Sequence, residues 1–73
     1  MSNRVPKLLD VVALLRDLPN SGLHRGQVGT VVEAADGDAV LVEFADAEGR
    51  TVALPQVPGA DLLVLDYGQA AAE

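Results

Sequence analysis

A chain of 73 residues with five Lys or Arg, eleven Asp or Glu, a formal charge of −6 and no cysteine is one domain, near the lower size limit for a self-sufficient core. Disulfides and thiolate metal sites are excluded, and the acidic balance repels a phosphate backbone, which argues against nucleic acid as a partner. Apolar residues make up 49% of the chain but include one Phe and one Tyr, so the core must come from Val, Leu and Ala, and the surplus points to apolar surface covered by another chain.

No apolar run approaches the roughly 20 residues that span a bilayer, and Met1-Ser2-Asn3-Arg4 lacks the apolar stretch of a secretory signal. The expectation is a soluble, cytoplasmic protein with no membrane contact. Residues 1–7 read as a lead-in, 8–65 as the domain and 66–73 as a frayed tail.

Pro6 to Leu18 allows two readings, because Leu8, Val11, Val12 and Leu15 keep helical spacing while Val12 and Leu14 share a strand face. The adjacent valines and the lack of a capping residue directly before Pro6 favour a strand, from about Asp10 to Leu15. Asp17-Leu18-Pro19-Asn20-Ser21-Gly22 is dense in turn formers, with Leu18 and Leu23 expected to turn inwards and anchor the loop. Glycines at 22, 26 and 29 then lead into Val28, Thr30, Val31 and Val32, a second strand running from Gln27 to about Ala34.

Ala35-Asp36-Gly37-Asp38 carries an Asp-Gly hairpin signal. The third strand, Ala39 to Phe44, alternates cleanly and places Val40, Val42 and Phe44 in the core. A second hairpin at Ala45-Asp46-Ala47-Glu48-Gly49 leads to a fourth strand, Arg50 to Leu54, with Val52 and Leu54 facing inwards. Pro55 and Pro58 should stop the ladder because neither can donate a backbone hydrogen bond. A short 3₁₀ turn then precedes a fifth strand, Ala60 to Leu65, with Leu63 and Leu65 assigned inwards. The outline is an all-β, small five-stranded SH3-like barrel with a frayed C-terminal tail.

Leu9-Asp10-Val11-Val12-Ala13-Leu14, Asp17-Leu18-Pro19, Gly22-Leu23, Arg25 to Glu33, Val42-Glu43-Phe44 and Gly49-Arg50-Thr51 together resemble a family of short bacterial proteins catalogued as domain of unknown function 4926. The match spans roughly residues 8 to 65. The resemblance brings no catalytic residues, and it implies an interaction role, as the small acidic member of a two-gene pair of antitoxin or immunity type. The segment Gly26 to Val32 also looks like the motif of ribosomal and transcription-factor barrels that bind RNA. Basic loops and stacking aromatics, which those barrels use, are missing here.

Few residues can carry chemistry. His24, the sole histidine, has no second imidazole or nucleophile to act with. Asp36 and Asp38, then Asp46 and Glu48, lack the terminal bidentate Glu of an EF-hand calcium loop and read as turn acids. Gly26 and Gly29 are followed by no Lys-Ser or Lys-Thr and so form no phosphate loop.

No catalytic residue, cofactor or metal site is therefore expected, and the chain reads as a non-enzyme. Two surfaces remain for a protein partner, basic in character, or for a second copy in a homodimer. Arg16, Leu18, Leu23, His24 and Arg25 form a mixed patch around the first loop, and Leu41, Leu62 and Val64 occupy strand faces left outside the core. The alternatives are an RNA-binding barrel and an accessory barrel that regulates a larger enzyme.

Overall fold

Valine-rich stretches lie side by side as extended ribbons in the computed structural model, which describes residues 5–34 and 37–65. The strands are β1 (Val11–Leu14), β2 (Val28–Ala34), β3 (Ala39–Ala45), β4 (Thr51–Ala53), β5 (Gln56–Pro58) and β6 (Leu62–Leu65), with 3₁₀ turns at Pro19–Ser21 and Gly59–Asp61. They form one six-stranded antiparallel sheet in the order β4-β3-β2-β1-β6, with β5 also paired to β3. No α-helix occurs among the described residues, so no helix there is long and apolar enough to cross a membrane. The all-β expectation holds with six strands rather than five. The expected frayed tail at 66–73 lies outside the described residues, as do residues 35–36 of the first hairpin and 1–4 of the lead-in.

The core comprises Val12, Leu14, Leu23, Val31, Val40, Val42, Phe44, Val57 and Leu62, with Leu18, Ala53 and Val64 packed against it. The alternation read from β3 is present, with Val40, Val42 and Phe44 all buried. Phe44 finds room because residue 29 has no side chain. A Cβ at Gly29 would lie 2.8 Å from the Glu43 carbonyl oxygen, 2.8 Å from Val42 Cγ1 and 2.9 Å from Phe44 Cδ2. Such distances force the neighbours apart.

Three expectations are corrected. Val52 and Leu54 point outwards, at 55% and 51% exposure, while Ala53 packs on the core. The β3–β4 register explains why: Phe44 pairs with Ala53 but Ala45 pairs with Thr51, so Val52 is the extra residue of a bulge. Partners across an antiparallel pair share a face, and Ala53 follows Phe44 inwards.

Pro55 does not end the pairing either, because β5 continues along β3 with Val40 opposite Val57 and Leu41 opposite Gln56. The Val42 N–H donates to the Pro55 carbonyl at 3.0 Å. Only the return bond, for which proline has no donor, is lost.

The third correction concerns β6. Its registry with β1 sets Leu62 opposite Leu14 and Val64 opposite Val12, which turns Leu62 and Val64 to the core. Leu62 is fully buried and Leu63 is 39% exposed, the reverse of the expected assignment.

Candidate functional site

Once β1 commits Val12 and Leu14 to the core, period-two alternation sends Val11, Ala13 and Leu15 to the other side. The strands on either side do the same. Ala13 pairs with Val28 of β2 and with Leu63 of β6, giving a row Val28, Ala13, Leu63 across three strands. Val11 pairs with Thr30 and Leu65, giving a second row. Directly opposed side chains on one sheet face have Cβ atoms about 4.5–5.5 Å apart, so these rows form a continuous strip that is aliphatic except for Thr30. Val28, Leu63 and Leu15 are its most exposed members.

The strip has distinct borders. Beyond Thr30 lies Glu43, its pairing partner on β3, whose carboxylate accepts a hydrogen bond from the Thr51 hydroxyl. Glu33 pairs with Leu41 one step further along the same face. At the other corner the Leu15 N–H donates to the Asp61 carbonyl at 2.8 Å, and Arg16 Nε donates to Asp61 Oδ2 at 2.8 Å. The guanidinium charge is thus matched beside the strip.

The residues singled out from sequence separate into several places. Leu18 and Leu23 exchange backbone hydrogen bonds at 2.9 and 3.1 Å, and Leu23 is 3% exposed. They anchor the loop as expected but offer little outward surface. His24 and Arg25 are exposed, and their backbone N–H groups donate to Gln27 Oε1 at 2.6 Å and Asp17 Oδ1 at 2.8 Å. Arg16 sits at the corner of the aliphatic strip. Leu41 is half-buried on the outer face, whereas Leu62 and Val64 belong to the inner one. The mixed patch around the first loop therefore loses its leucines, and the apolar surface lies on Val28, Leu63, Leu15 and Ala13. The sequence signal for that strip is the inward phase of Val12 and Leu14, which fixes every other residue of β1.

Other features resolve as structure. Asp46 Oδ1 accepts from the Glu48 and Arg50 N–H groups at 2.9 Å each, while Gly49 takes a φ of 83°, the left-handed residue of a bulged hairpin. That carboxylate organises a turn. A cavity of about 590 Å³ lies among Val5, Pro6, Val40, Pro58 and Ala60, and Asp38 is the one ionisable residue that lines it among the described residues. It contains none of the residues expected to bind a partner. No cluster of three or more His, Cys, Asp or Glu suited to a metal occurs among the described residues.

A family model described as domain of unknown function (DUF4926) matches residues 8–64. No curated protein and no solved structure matches the chain.

Proposed function

The chain belongs to the DUF4926 family, and from that premise we propose that it is a non-enzymatic protein-interaction module built on an SH3-like barrel and working in the cytoplasm. The barrel reading is supported by the pairing of the first strand with the last and by register shifts in β2–β3 and β3–β4. Bulges of that kind add twist and bend a sheet towards closure.

The observation that carries the interaction reading is the open aliphatic strip of Val28, Ala13, Leu63 and Leu15. Val28, Leu15 and Leu63 are 39–51% exposed, so each that another protein covers would contribute about 1 kcal/mol, roughly half the value for a fully exposed side chain, before association costs are met. The net charge of −6 steers a basic partner towards it and opposes pairing with a second copy. The chain thus acts as the small acidic member of a two-protein pair.

The test is capture at native expression in the host, comparing wild type with Leu63→Thr, a residue that keeps strand propensity while removing apolar surface. One discrete partner that is held by wild type and released by the variant is the expected result. A wild-type chain that stays alone and monomeric, or a variant that holds the partner as firmly, overturns the reading.

A further inference from the structure

Charge is distributed unevenly over the sheet. Glu33 and Glu43 are the only charged residues in the six strands, and no strand carries Lys or Arg. Both acids lie on the outer face, paired with Leu41 and Thr30, and Thr30 in turn pairs with Val11. Crossing from β6 to β3, that face therefore runs from aliphatic to acidic.

Resting on the reading of this face as an interface, we propose that its occupant is an α-helix of the partner, with an aliphatic stripe bordered along one side by lysine or arginine. A sheet face offers side chains and no free backbone groups, so it suits an element whose own backbone bonds are already made. An extended segment would seek a sheet edge instead. The dimensions agree. Two strand spacings of about 4.8 Å separate Leu63 on β6 from Val28 on β2, close to the diameter of about 10–12 Å of a helix with its side chains. A helix seated over Ala13 and running along β1 covers Val28 and Leu63 with its width, and long cationic side chains on its β2 flank extend towards Glu33 and, on the next strand, Glu43. At the far corner Arg16 is already matched by Asp61 and does not repel the flanking cations.

Three synthetic helical peptides with one leucine stripe, differing only in Lys, Gln or Glu along a single flank, test this by NMR titration of the isotope-labelled chain. The Lys peptide is expected to shift Ala13, Val28, Thr30, Glu43 and Leu63, and to bind about tenfold or more tightly than the Glu peptide. That ratio should collapse near 1 M salt, where the screening length falls to about 3 Å. The double variant Glu33→Gln/Glu43→Gln should abolish the ratio and leave the Gln peptide's affinity unchanged. Equal affinities for the three peptides, shifts confined to another surface, or no binding at all would overturn the proposal. If the helix proposal fails while Leu63→Thr still releases the native partner, the interface reading survives. If Leu63→Thr releases nothing, that reading falls with it.

Discussion

The inner and outer faces of the β1–β6 ribbon are lined by nearly the same chemistry, Val12, Leu14, Leu62 and Val64 on one side and Val11, Ala13, Leu63 and Leu65 on the other. Val12, Leu14 and Leu62 of the inner set are buried with Phe44, Val42 and Val57 in one cluster and Val64 packs half-buried against it, whereas in the outer set Leu63 is exposed and Val11, Ala13 and Leu65 are half-buried. Aliphatic character alone thus does not make a core. Packing against the other strands does, because the inner side chains lose the larger share of their water on folding. Leu62 and Leu63 make the contrast sharpest, being neighbours of identical type at 0% and 39% exposure.

Substitutions should divide along that line. Phe44→Ala removes the largest fully buried side chain and should cost about 3–5 kcal/mol, enough to leave so small a domain largely unfolded in a urea titration at 25 °C. Leu62→Thr trades packed methyl groups for a buried hydroxyl and should cost about 3 kcal/mol by the same titration. Gly29→Ala puts a methyl group against the Glu43 carbonyl and the Val42 and Phe44 side chains. It should lower stability by about 1–3 kcal/mol although it adds only one carbon.

On the outer face Leu63→Thr should stay within about 1 kcal/mol of wild type while releasing the partner. A Leu63→Thr chain as unstable as Leu62→Thr would erase the distinction between the faces. Arg16→Gln removes an ion pair whose arginine side chain is 59% exposed, and a thermal melt should move by no more than about 1 kcal/mol equivalent.

How much of this was legible in the sequence depends on what set each strand's phase. β3 alternates in its own residues, so Val40, Val42 and Phe44 could be placed from spacing alone. β1 could be placed through Val12 and Leu14. β6 could not, since Leu62-Leu63-Val64-Leu65 is aliphatic at every position and only its registry with β1 decides which side faces in. β4 misled for another reason. Its larger residue, Val52, sits in a bulge, while the small Ala53 fills the inward position.

The turn at Lys7 to Asp10 left no signal at all. It is closed by Asp10 N–H donating to the Lys7 carbonyl at 2.9 Å and by Lys7 N–H donating to Asp10 Oδ2 at 2.8 Å. Leu9 takes a φ of 72° where glycine is the usual choice. The composition implies surplus apolar surface, but the sequence places it on Leu41, Leu62 and Val64, and of these only Leu41 lies on the outer face. The same error of phase that misplaced Leu62 and Val64 hid Leu63.

The most direct measurement is a methyl NMR footprint of the chain bound to its captured partner, read with a soluble paramagnetic probe. Methyl groups of Val28, Leu63 and Leu15 should become shielded from the probe on binding, while those of Val12, Leu62 and Val57 should be shielded before and after. Shielding that appears instead at Val5 and Ala60 around the cavity, with Val28 and Leu63 still open to the probe, would contradict the interface reading.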